Sequence, residues 1–176
     1  YKIITTILYP FLILFIFIRK IKKKEHPTRF KEKIFPSSFN IYRDKKLKLV
    51  WFHASSIGEL NSIMPIVEDL NKKEKYEFLI TTTTFSSGEM AKRLLERFKN
   101  IHHRYLPLDV NFLVSRFVDS WSPNALFLVD SEIWPNLISK VNKNKIPLAL
   151  INAESFKLDE HNNKVKSEMD EVRIVH

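Results

Sequence analysis

From residue 47 onward the chain alternates short apolar runs with longer stretches of helical spacing, and that rhythm leaves few folds open. The runs read LKLVWFH (47–53), YEFLITT (76–82), ALFLV (125–129) and PLALIN (147–152). They are nearly continuous rather than alternating, which suits strands buried on both faces of a parallel sheet. Residues 103–106 read as a further short strand. Between them, Leu60, Ile63, Met64, Ile66, Val67 and Leu70 recur at helical spacing. Helices are expected over 58–70, 87–98, 109–120 and 134–143. Pro65 should kink the first or mark a late start. Ser86 or Ser87 should cap the second. Strands alternating with helices imply βαβ units, so residues 47–153 are expected to form one α/β lobe with a parallel sheet and flanking helices.

The amino-terminal block obeys another pattern. Residues 3–18 read IITTILYPFLILFIFI without a charge, and Arg19, Lys20, Lys22, Lys23 and Lys24 follow. As one helix the run would span roughly 24 Å, against a hydrocarbon core of about 30 Å. A secretory leader places its basic residues before the apolar run; here they come after it. The expectation is a transmembrane signal anchor over 1–20, a basic juxtamembrane segment over 21–46 on the cytoplasmic side, and a short helix near 28–34. Residues 154–176 read as a divergent charged tail.

The formal net charge of +9 favours an anionic partner. Much of it is the juxtamembrane cluster, so nucleic acid is set aside and a membrane or a phosphorylated substrate is preferred. The absence of cysteine excludes disulfides and thiolate metal sites. His102 and His103 should face opposite sides of a strand, so no metal site is expected. Only Gly58 and Gly88 are glycines, and neither sits in a nucleotide fingerprint, so no cofactor is expected.

Ligands of open parallel sheets bind at the carboxyl ends of the strands, and four polar clusters fall there. In His53-Ala-Ser55-Ser56-Ile-Gly58-Glu59, small residues and Gly58 let the backbone approach a ligand, and amides at the helix start can hold an anion. Glu59 could serve as a general base. Ser56-x-x-Glu59 is equally a capping box, and from spacing alone that reading stands first. Thr82, Thr83, Ser87 and Gly88 follow the second strand, where hydroxyls and amides suit a phosphate or sugar hydroxyl, or simply cap a helix. Asp130, Glu132, Trp134 and Asn136 follow the fourth. A carboxylate there could stabilise an oxocarbenium-like transition state, or complement the helix dipole. Asn152-Ala153-Glu154-Ser155 closes the series.

At these clusters the chain resembles the 3-deoxy-D-manno-octulosonic acid (Kdo) transferases. The strings are WFHASSIGE (51–59), ITTTTFSSGE (80–89), YLPLD (105–109), SEIWPNLI (131–138) and IPLALINA (146–153). The resemblance implies the amino-terminal, Rossmann-like acceptor lobe of a GT-B glycosyltransferase, preceded by a membrane helix. It implies transfer of Kdo from CMP-Kdo to lipid IVA, a phosphorylated lipid A precursor, on the cytoplasmic face of the cell inner membrane. Glu59 would be the base, and Asp130 and Glu132 the stabilising acids. Ser55, Ser56, Gly58, Thr82, Thr83, Ser87, Gly88 and Asn136 would contact substrate. Asp130 stands where the family has Glu, and Glu154 where it has Arg. The likeness fades after Ser155 and the CMP-binding lobe does not follow, so the chain is expected to be inactive alone. The alternative is a non-catalytic, membrane-tethered remnant that binds anionic lipid or a partner.

Overall fold

The structure, a computed structural model, describes residues 1–36, 46–129 and 133–151. Five strands form one sheet: β1 (Lys48–His53), β2 (Tyr76–Thr82), β3 (Ile101–Tyr105), β4 (Ala125–Val129) and β5 (Leu148–Ile151). Their order is β3-β2-β1-β4-β5 and every pairing is parallel. This is the expected α/β, Rossmann-like sheet. The helices are α1 (Lys2–Ile7), α2 (Tyr9–Ile21), α3 (Ile57–Asn71), α4 (Phe85–Leu95), α5 (Asn111–Trp121) and α6 (Pro135–Lys143).

Each central strand is buried on both faces, which is why its sequence lacks alternation. Val50, Phe52, Phe78 and Ile80 pack under Leu60, Ile63 and Val67 of α3 and Ala91 and Leu95 of α4. Leu49, Trp51, Leu79, Leu126 and Leu128 point to the other face, under Val114, Phe117 and Trp121 of α5 and Leu137 and Val141 of α6. Truncating a side chain such as Ile63 or Leu126, both fully buried, should cost about 2–5 kcal/mol. Strand order fixes where a ligand can enter. From β1 the chain winds out through β2 to β3, then returns to place β4 on β1's other side. The connections therefore diverge above the ends of β1 and β4, opening a crevice there.

Three expectations are corrected. Pro65 marks no late start, because α3 begins at Ile57 and continues past the proline, which is exposed, so the carbonyl that loses its partner can bond to water. Helix α4 is capped by Thr84 rather than Ser86 or Ser87. The Thr84 side chain accepts from the Ser87 amide, and Ser87 answers to the Thr84 amide. The single helix expected over the first twenty residues is two, α1 and α2, meeting at Leu8, two residues before Pro10, which has no amide to donate. Among the described residues no helix is long and apolar enough to cross a membrane.

Residues 25–34 do not simply trail in solvent. They form a short 3-10 turn, Arg29–Lys33, against β3 and the loop that follows it. Phe30 and Ile34 join Ile16 in a small third core, with Leu108 beside them, and the Leu108 amide donates to the Lys33 carbonyl.

Candidate active site at the ends of β1 and β4

Strand β1 ends at His53, which is fully buried. Its Nδ1 lies 3.2 Å from the Thr81 carbonyl and 2.9 Å from Thr81 Oγ1. A carbonyl only accepts, so the proton sits on Nδ1, and Nε2 is left to accept from the Ser55 hydroxyl at 3.2 Å. Trp51 Nε1 donates to the same Thr81 Oγ1 at 2.9 Å. Thr83 Oγ1 donates to the Ser55 carbonyl at 3.4 Å. The loop between β1 and α3 is thus pinned from below by β2.

On that loop Ser56 caps α3, accepting from the Glu59 amide at 3.2 Å. The Glu59 carboxylate reaches back, but to the Ser55 amide rather than the Ser56 amide, through Oε2 at 2.8 Å. Of the capping box expected from spacing, the Ser56 half forms, while the Glu59 carboxylate is held at the helix start one residue earlier than the box would place it. Glu59 is partly exposed, and among the described residues Oε1 has no protein partner. A carboxylate with one oxygen anchored and one open is placed to accept a proton.

Gly58 lies exposed in the first turn of α3, without positive φ. A Cβ there would meet only Ser56 Oγ, at 3.8 Å, so the position has room for a larger side chain.

Three other expected contacts are turned inward. Thr82 is fully buried, and its hydroxyl meets His103 Nε2 at 3.0 Å. Ser87 is fully buried in the cap of α4. Gly88 is buried against the ring of Tyr105, which would lie 2.6 Å (Cε1) from an added Cβ. Thr83 stays partly exposed at the rim. Asp130 and Glu132 lie outside the described residues. Trp134, at the start of α6, meets the His53 ring nearly at right angles, with centroids 6.0 Å apart, so the start of α6 lies against the end of β1.

Asn136 is 1% exposed and is held by Asp109, a residue sequence reasoning did not single out. The Asp109 carboxylate accepts from the Asn136 and Leu137 amides, both at 3.0 Å, capping α6 from across the chain. The Asp109 carbonyl accepts from Asn136 Nδ2 at 2.5 Å. This is why YLPLD and WPNLI occur together: one ends in the cap of the other. The acid at the end of an otherwise apolar pentapeptide was the available signal.

A second group missed from sequence underlies the β2 and β3 ends. Glu25, 3% exposed, accepts from Arg19 at 2.6 Å and from Lys33 at 2.5 Å; Lys33 also donates to the Thr83 carbonyl at 2.8 Å. Burial pulls the Lys33 ammonium below its usual range, against the opposing pull of Glu25. Glu32 pairs with Arg29 at 2.7 Å and accepts from the Tyr105 amide at 2.9 Å. Arg29 Nη2 faces His103 Nδ1 at 3.0 Å, so that nitrogen must accept and Nε2–H donates to Thr82. Burial, then the charges of Arg29 and Arg104, push His103 down to about 3, so it is neutral. Among the described residues no three histidine or acidic side chains gather to hold a metal ion.

The family profile described as 3-deoxy-D-manno-octulosonic-acid transferase (kdotransferase) matches residues 28–160. A probable mitochondrial 3-deoxy-D-manno-octulosonic acid transferase of Arabidopsis thaliana is 35% identical over 163 residues, covering 89% of this chain and 35% of the relative. The 3-deoxy-D-manno-octulosonic acid transferase of Rickettsia bellii is 30% identical over 154 residues, 87% of this chain and 35% of its own length. That of Aquifex aeolicus is 36% identical over 104 residues, 59% of this chain and 28% of its own length. The chain thus spans about a third of the length of these curated relatives.

Proposed function

This chain belongs to the Kdo transferase family, and from that premise we propose that it forms the acceptor-side lobe of an enzyme moving Kdo from CMP-Kdo onto a phosphorylated lipid A precursor. The observation that carries the reading is Glu59. It stands at the start of α3, just past the end of β1, with Oε2 anchored on the Ser55 amide and, among the described residues, no protein partner on Oε1.

In the proposed reaction Glu59 Oε1 takes the proton of an acceptor sugar hydroxyl. The freed oxygen bonds to the anomeric carbon of Kdo, and the bond from that carbon to CMP breaks, CMP leaving with its electron pair. Positive charge grows on the Kdo ring in the transition state, and the carboxylates of Asp130 and Glu132 would stabilise it. CMP would be held by sequence beyond this chain, since the relatives are about three times as long. Thr83 and Ser56 would contact the acceptor at the rim. Thr82, Ser87 and Asn136 act through the protein, by fixing the loops.

The lobe itself can be tested. A bisphosphorylated lipid A precursor in mixed micelles should bind saturably and change the fluorescence of Trp134. Gly58→Leu should fill the open space and weaken that binding about tenfold or more, with the unfolding midpoint little changed, because a leucine fits a first helical turn. A folded chain that shows no saturable binding, or a Gly58→Leu chain that binds as well as the parent, contradicts the placement of the acceptor.

A further inference from the structure

Thr83 is the first residue past the β2 ladder, whose last pair with β3 is Thr82 with Tyr105. Its carbonyl lies beyond the sheet, and the Lys33 ammonium donates to it at 2.8 Å. The Lys33 side chain is 8% exposed and crosses the face of the Tyr105 ring, 5.4 Å from its centroid. Glu25, with its side chain 1% exposed, holds that ammonium at 2.5 Å, and Arg19 in the last turn of α2 holds the other Glu25 oxygen at 2.6 Å. On its far side Thr83 reaches the site. Its hydroxyl donates to the Ser55 carbonyl at 3.4 Å, and the Ser55 amide donates to Glu59 Oε2 at 2.8 Å. Three consecutive links thus join a buried lysine to the Glu59 carboxylate.

Magnitudes decide which link holds the loop. The Thr83–Ser55 bond is near the outer limit of hydrogen bonding and contributes little by itself. The bond on the Thr83 carbonyl is shorter, and its donor is ionised, which makes it roughly twice as strong as a neutral one. Thr83 is therefore held from behind, by Lys33, over Ser55. The ion pair is a poor device for stability alone. Taking two charges out of water costs about what their attraction returns, and an apolar pair of similar volume would stabilise the lobe as well or better. An apolar pair cannot hold a carbonyl at a fixed point. We propose that Lys33 is a positioning residue for the transfer reaction: its ammonium, held by Glu25, fixes Thr83, Thr83 fixes Ser55, and Ser55 fixes the Glu59 carboxylate. The inference rests on Glu59 being the base. Lys33 lies beneath the loop and acts only through it. Burial favours the neutral amine and Glu25 opposes that, so the acid keeps the donor in its stronger, charged form. The geometry matters steeply, because a displacement of about 1 Å at a reacting group can cost about a hundredfold in rate.

The test uses a protein joining this lobe to its donor-binding half. Lys33→Met alone would leave Glu25 buried with Arg19 only, so it is combined with Glu25→Gln, which removes both charges together. Per folded molecule, kcat for transfer from CMP-Kdo should fall about tenfold, with KM for CMP-Kdo unchanged. Thr83→Val keeps the size of the side chain and loses the hydroxyl, at a partly exposed position, and should also lower kcat. Adding Thr83→Val to the ion-pair variant should make it no slower than the slower of the two, because one path is then cut twice. Effects that multiply mean that the pair and Thr83 act independently, and they overturn the proposal. So does the parent kcat in either folded variant. If the methionine variant does not fold, Lys33→Gln with Glu25→Gln takes its place in the same cycle. Glu59→Gln separates this inference from the one beneath it. A slow Glu59→Gln protein beside ion-pair variants at the parent rate removes the positioning role alone. Glu59→Gln at the parent rate removes the base, and the positioning role with it.

Discussion

Tyr105 and Gly88 show how closely single positions are fitted. The Tyr105 ring is almost fully buried and its hydroxyl, without a hydrogen bond among the described residues, rests on Gly88. Burial pushes that hydroxyl up to about 12, so it stays protonated at neutral pH. Gly88→Ala drives a methyl into the ring and should destabilise the lobe by about 1–3 kcal/mol in urea unfolding. Tyr105→Phe removes a polar atom that has no partner and should be neutral or mildly stabilising. His103 gives a pH signature. Its folded form holds no proton until about 3, whereas the unfolded imidazole takes one near 6.5. Between those values the unfolded chain binds more protons. The His103 contribution is therefore complete above pH ~6.5 and is lost as pH falls, by at most about 1.4 kcal/mol per unit. Unfolding midpoints at descending pH should show that slope, and His103→Gln should flatten it.

At the scale of elements, helix starts decide how loops sit at the sheet end. The Asp109 carboxylate supplies the cap that Trp134, at the α6 N-cap, does not. Asp109→Ala should cost about 1–2 kcal/mol, and Asp109→Asn, which keeps one acceptor, less. Thermal unfolding of the two variants checks the order. Local pattern made some elements plain: β2 and β4 have the bounds read from their apolar runs, because strands buried on both faces have only one way to be written. The start of α4 was misread by two residues, because Thr84, Ser86 and Ser87 are all competent caps and only reciprocal geometry chooses between them. The partners of Asp109 and of the Glu25–Lys33 pair were illegible, since folding alone brings them near. The amino-terminal apolar run was legible as a run, and its expected single membrane-crossing helix is not found among the described residues. Its arrangement as two helices laid along the lobe depends on Asp109, Asn136 and Ile34, far away in sequence.

For the whole molecule, strand order does what no motif could. Placing β1 between β2 and β4 brings residues 53–59 to the same end of the sheet as the start of α6, and sets Trp134 against His53. The family strings lie at strand ends because that is where this topology gathers them. The central claim is that Glu59 is the base of Kdo transfer. Glu59→Gln tests it cleanly, because the amide oxygen of glutamine can still accept the Ser55 N–H and keep the loop in place, while the side chain can no longer take a proton. The decisive measurement is the rate of transfer from CMP-Kdo to the lipid A precursor by a protein joining this lobe to its donor-binding half. Glu59→Gln should lower that rate by about 10²–10⁴ with an unchanged unfolding midpoint; a correctly folded Glu59→Gln protein turning over at the parent rate would contradict the account.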